Sequence, residues 1–159
     1  MNMKTQLLLA CIALGLLACK KDEHAGHDHG KETGKTAKPI AGPNGGKLLG
    51  NSAPRAEFLI GKDNRVTITF FDEKLKPVAA SGQVVAVTAE PKSGKVSLTL
   101  EAKDGAFVSK EALPDGDDYN IVVQVKSSAE GSPQNFRISF DLHECGGCKL
   151  KEYACICGH

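Results

Sequence analysis

Four cysteines close the chain in the segment His143-Glu144-Cys145-Gly146-Gly147-Cys148-Lys149-Leu150-Lys151-Glu152-Tyr153-Ala154-Cys155-Ile156-Cys157-Gly158-His159. Cys145 and Cys148 form a C-x-x-C pair, Cys155 and Cys157 a C-x-C pair, and six residues separate the two. Thiolate sulfur is a soft ligand that suits Cu(I) and Zn(II). A C-x-x-C turn aims both sulfurs at one point, and Gly146 and Gly147 give the backbone freedom for that turn. The return is short enough to bring Cys155 and Cys157 to the same ion. His143 and His159 bracket the cysteines as further candidate ligands, and Lys149 and Lys151 would partly offset the charge of four thiolates. Three chemistries fit: a bound ion on four thiolates, two structural disulfides that tack down the tail, or a redox-active C-x-x-C. Redox motifs normally open a helix in a thioredoxin-like fold; here the motif follows a strand pattern. The spacing is shorter than in common zinc ribbons, so that fold is not implied.

A second cluster lies near the other end, in His24-Ala25-Gly26-His27-Asp28-His29-Gly30. Three imidazoles on flexible backbone can gather around one borderline cation, with Asp28 as an oxygen ligand. Such binding would be loose, would exchange quickly and would weaken below about pH 6.5, where imidazole protonates. A polar spacer that merely contains histidine is the alternative, since short His-rich tracts are only a compositional signal. All five histidines belong to one or other end; the stretch between holds none.

That stretch must position both clusters. Residues 20–46 carry Ile40 as their only large aliphatic residue and cannot bury enough apolar area to offset their ordering entropy. They read as a flexible tether with a span of roughly 25–30 Å. From Lys47 to Leu142 the pattern changes to short strands with period-two alternation. Phe58 and Ile60 alternate, then Val66, Ile68 and Phe70 after a turn at Gly61-Lys62-Asp63-Asn64. Val85 and Val87 precede a turn at Pro91-Lys92-Ser93-Gly94, and Val96, Leu98 and Leu100 read as the next apolar face. After Asp104-Gly105, Phe107 begins a short strand, followed by the sets Ile121, Val123, Val125 and Phe136, Ile138, Phe140. No amphipathic helix stands out. About seven strands over about a hundred residues predict an all-β antiparallel sandwich, immunoglobulin-like or fibronectin-like. Leu113-Pro114-Asp115-Gly116-Asp117-Asp118-Tyr119 resembles the tyrosine corner of those domains, which gives Tyr119 a structural role. Asp115, Asp117 and Asp118 lack a full calcium loop and read as a solvated turn.

The N-terminus reads as an export signal over residues 1–18: Lys4, then an apolar run from Leu7 to Ala18, too short to span a bilayer, which needs roughly 20 residues. Leu16-Leu17-Ala18-Cys19 resembles the lipobox of bacterial lipoproteins, which implies cleavage before Cys19 and a diacylglycerol on its thiol. Acyl chains contribute about 0.8 kcal/mol per buried CH₂, so several hold a protein firmly on a bilayer. Lys20 at the next position implies, by the sorting rule of enteric bacteria, the periplasmic side of the outer membrane rather than the inner. Removing the signal takes Lys4 with it, so 20 basic residues become 19 against 19 acidic. That balance excludes a nucleic-acid partner, which needs a basic face. Cys11 leaves with the signal, so the four tail cysteines are the remaining thiols, in a compartment that permits disulfides.

The His-rich tether followed by Gly42-Pro43-Asn44-Gly45-Gly46-Lys47-Leu48-Leu49 resembles the leader of periplasmic adaptor subunits of heavy-metal efflux systems. The likeness runs over residues 24–142, with the turn its sharp part; Asn44 stands where the family usually has His. It implies a small metal-binding β module that could work beside a metal efflux complex. The coiled-coil hairpin and barrel of the adaptors are missing. The whole sequence therefore reads as a signal peptide (1–18), a lipidated tether (19–46), a β-sandwich (47–142) and a Cys/His-rich tail (143–159). The expected function is a non-catalytic, lipid-anchored protein that sequesters, senses or hands over Zn or Cu(I). Its rivals are a structural or interaction lipoprotein with a disulfide-stapled tail, and a thiol-disulfide oxidoreductase using Cys145 and Cys148. No Ser-His-Asp order, carboxylate pair or phosphate loop supports another enzyme.

Overall fold

Alternation along a strand sends every second side chain to one face, and in this chain those faces meet. The structure, a computed structural model, describes residues 39–158. The signal, Cys19, His24, His27, His29 and His159 lie outside the described residues. Among the described residues ten strands follow one another: β1 (Lys47–Leu49), β2 (Arg55–Ile60), β3 (Val66–Phe71), β4 (Pro77–Val78), β5 (Val84–Glu90), β6 (Val96–Leu98), β7 (Leu100–Lys103), β8 (Ala106–Ser109), β9 (Tyr119–Lys126) and β10 (Gln134–Phe140). Seven of them have four residues or more, which is the number the alternation predicts; β1, β4 and β6 are fragments of two or three. All pairings are antiparallel. One sheet runs β1-β2-β3-β8-β7 with β4 against β3, and the other runs β10-β9-β5-β6.

Phe58, Val66, Ile68 and Phe70 of the first sheet and Val87, Ala89, Ile121, Val123, Ile138 and Phe140 of the second share one buried core. With no Trp and two Tyr in the chain, this packing of branched aliphatics and Phe supplies most of the apolar burial, at about 25 cal/mol per Å². Val96, Leu98 and Leu100 do not form one face, as the alternation suggests. The chain changes sheets at Thr99, so Leu98 is buried in β6, Leu100 lies half-buried in β7, and Val96 is exposed. The Asp104-Gly105 turn joins β7 to β8 with both residues at positive φ, 51° and 80°, the twist a two-residue hairpin needs.

Tyr119 opens β9, and its hydroxyl donates to the Pro114 carbonyl at 2.9 Å, five residues upstream. Leu113 and Tyr119 are buried, and Tyr119 packs on Phe140 at 4.8 Å between ring centres. Burial, then the charges of Asp115 and Asp117, push the phenol up to about 12, so it stays a donor at neutral pH. Tyr119→Phe is expected to keep the fold and lose about 1 kcal/mol, read from the midpoint of urea unfolding. An unchanged midpoint would show that the corner bond adds nothing.

The Gly42–Gly46 turn covers a charge. Glu57 of β2 faces away from the core by alternation, yet it is 1% exposed. Its carboxylate accepts from the Asn44 amide (2.9 Å), the Asn44 side-chain amide (2.7 Å) and the Gly46 amide (2.9 Å). Three donors satisfy a carboxylate taken out of water. A Cβ on Gly42 would stand 2.1 Å from Glu57 Oε1, and one on Gly46 2.4 Å from the Phe58 carbonyl oxygen. Lack of a side chain, more than backbone freedom, fixes glycine at both positions. Asn44, where the adaptor leaders usually have His, is thus tied to Glu57.

Candidate metal centre

The chain does not hang free after β10. Tyr153 and Ala154 belong to the same core as the sheets, with Leu142 and Leu150 packed against it, so a boundary after Leu142 cuts through one hydrophobic unit. The backbone closes first into a small hairpin: Glu144 bridges Lys151, the Cys145 amide donates to the Leu150 carbonyl at 2.8 Å, and the Lys149 amide donates to the Cys145 carbonyl at 3.0 Å. A single 3₁₀ turn, Glu152–Ala154, follows. It is pinned to the end of β10 by Glu152 N–H to the His143 carbonyl (2.9 Å) and Tyr153 N–H to the Asp141 carbonyl (3.1 Å). The Tyr153 ring meets Phe58 edge-on at 5.8 Å, and its hydroxyl accepts the Ile60 amide at 3.2 Å.

This strap brings the four sulfurs together. Cys145 is buried, Cys148 and Cys155 are half-buried and Cys157 is exposed. Sγ–Sγ separations are 3.3 Å for Cys145–Cys155, 3.7 Å for Cys145–Cys157 and 3.8 Å for Cys148–Cys155, and all four sulfurs lie within 4.8 Å of one another. The left-handed residue of the turn is Lys149, at φ 63°, and neither Gly146 nor Gly147 has positive φ. Gly147 serves instead as space, because a Cβ there would come within 2.8 Å of Cys157 Sγ.

The surroundings split the thiols chemically. The backbone N–H groups of Ile156 and Leu150 beside Cys148 hold its thiol down to about 6. Hydrogen bonds with Cys145 and Cys148 push Cys157 up to about 12. At Cys155 the Cys157 amide, 3.3 Å from the sulfur, pulls downward, but burial and the neighbouring thiols outweigh it and the net shift is upward. One thiolate is therefore ready at neutral pH, and Cys155 and Cys157 keep their protons until a cation displaces them. Lys149 lies 3.8 Å from Glu144, so part of its charge is already matched.

His143 belongs to a different group. Its Nδ1 lies 2.7 Å from Asp141 and 3.9 Å from Asp117, and these three ligand atoms cluster apart from the thiol group. The Asp141 hydrogen bond and charge, then the Asp117 charge, raise the His143 pKa. Asp118 turns to Lys92 at 3.8 Å, so the three aspartates of that turn do not converge. A His143→Ala variant is expected to bind as much metal per chain as the parent by elemental analysis; a halved content would place the imidazole on the ion after all.

Tyr153 is the site residue that spacing alone does not reveal. Its signal is faint: an aromatic beside Ala154 in a link between the cysteine pairs that is half charged, with Leu150 its other apolar residue. The chain matches no family model, no curated protein and no solved structure.

Proposed function

We propose that this is a non-catalytic, lipid-anchored protein of the extracytoplasmic face that binds one zinc-class ion on Cys145, Cys148, Cys155 and Cys157. The sulfur spacing carries the reading. Four sulfurs about 2.3 Å from a tetrahedral Zn²⁺ stand roughly 3.8 Å apart; three of the six separations here are 3.3–3.8 Å, and all lie within 4.8 Å. A tetrahedral all-sulfur set favours zinc over the oxygen-seeking ions; Cu(I) is the runner-up. The site is closed by protein on the Cys145 side and open to solvent at Cys157, which suits an ion that is held and passed on.

The anchoring rests on the lipobox-like Leu16–Cys19 stretch, and a place beside a metal efflux system rests on the adaptor-like leader. Pro39 and Ile40, where the tether enters the domain, line a groove with Ala154, Cys155 and Ile156. His24, His27 and His29 act in this reading as a loose first capture step for ions that the thiols then hold.

The full chain, purified anaerobically, is expected to carry one zinc per chain by elemental analysis, and the variant with all four tail cysteines changed to Ser none. A variant that keeps its full metal content refutes the thiolate assignment. The same short separations also favour a second reading, a structural lipoprotein with two disulfides. Thiol counting on protein isolated without reductant separates the two: no free thiols and no metal favours the disulfides.

A further inference from the structure

Three of the four sulfur pairs that join one motif to the other are 3.3–3.8 Å apart. A disulfide needs about 2.05 Å, so small side-chain rotations suffice to close either link. The strap itself has no need to open, because Tyr153, Ala154 and the backbone bonds to His143 and Asp141 hold it to the core independently of the sulfurs. Cys157, the exposed thiol, lies over Gly147 of the first motif, where a reagent from solvent reaches it before it reaches buried Cys145.

We infer that the thiol cluster is an oxidation-released ion site: a disulfide reagent converts it from a four-thiolate clamp into two disulfides between the motifs, and the ion leaves while the strap stays docked. The inference rests on the ion reading above. The chemistry is thiol–disulfide exchange. In the zinc-loaded cluster Cys157 has given up its proton to ion binding, and its thiolate attacks a small-molecule disulfide, forms a mixed disulfide and expels one small thiolate. A sulfur of the first motif, Cys145 at 3.7 Å, then attacks the Cys157 sulfur and expels the second small thiolate. Two protein thiolates have lost two electrons, and the reagent has gained them. A second equivalent oxidises Cys148 and Cys155, 3.8 Å apart, in the same way. Zn²⁺ keeps its oxidation state throughout; it leaves because no thiolate remains to bind it.

The test uses the full chain, loaded with zinc in detergent and treated with oxidised glutathione. Zinc release is followed with a chromogenic indicator, disulfides are mapped by mass spectrometry after nonreducing digestion, and amide exchange reports on Ile60 and Tyr153. The expected result is loss of the single zinc, two disulfides that each join Cys145 or Cys148 to Cys155 or Cys157, no retained glutathione, and unchanged protection at Ile60 and Tyr153. Dithiothreitol with added zinc should restore the load. Disulfides within a motif, persistent glutathione adducts or lost protection overturn the inference. Zinc that stays bound through complete thiol oxidation overturns it alone. A reduced chain that takes up no zinc overturns the ion reading, and this inference with it.

Discussion

Replacing Cys145 by Ser is expected to weaken zinc binding by about 10²–10³-fold, more than the same change at Cys157. Four-thiolate sites of this kind bind with roughly 10–16 kcal/mol at neutral pH; one ligand's share, about 3–4 kcal/mol, is that fold-change. Cys145 is buried and its sulfur stands 3.3 and 3.7 Å from those of Cys155 and Cys157, so no water can take its place. Cys157 is exposed, and a water can fill its position, as in zinc sites with one open coordination place. The direction of the pH effect follows from the thiols. Cys155 and Cys157 have raised pKa values, so binding near neutrality must expel at least their two protons. Lowering the pH by one unit should then weaken binding about 100-fold, and more steeply below about pH 6, where Cys148 also takes up a proton. Competition against a chromophoric chelator at two pH values measures both effects. Equal losses from the Cys145 and Cys157 variants, or a flat pH profile, would contradict the geometry.

Tyr153→Ala should cost the domain about 3–5 kcal/mol, the usual range for emptying a buried aromatic site. The ring fills space against Phe58, and the hydroxyl accepts the Ile60 amide, so the variant also leaves that amide to find water. Tyr153→Phe keeps the packing and should cost only about 1 kcal/mol. On the zinc reading proposed above the ion binds the folded strap, so excess zinc should restore part of the lost stability by mass action. Urea unfolding of the two variants with and without zinc gives the comparison. A Tyr153→Ala midpoint equal to that of the parent would mean that the strap contributes nothing to the core.

The strands were legible because most of them bury one face and leave the other to solvent, as in Val66, Ile68 and Phe70 or Ile121 and Val123. Alternation failed where position in space departs from position in sequence. Val96, Leu98 and Leu100 keep step along the chain while the chain passes from one sheet to the other. Glu57 sits at an outward position, and only the turn folded over it explains its burial. The cysteine cluster could be read directly, since both pairs have ligand spacing and a short return. His143 lies two residues from Cys145 in sequence, yet its nearest partner is Asp141 at 2.7 Å, and with Asp117 the two form a separate group that could itself hold an ion. Local pattern does not report such competition between partners.

A tug arriving along the chain from its N-terminal side meets the domain at Ala41, which bridges Lys47, and at the turn fastened to Glu57. Load therefore passes into β2 and the middle of its sheet through several parallel bonds to one side chain. Pro39 and Ile40 also share a groove with Ala154 and Cys155, so the Glu57 fastening and the sulfur strap stand side by side where that load enters.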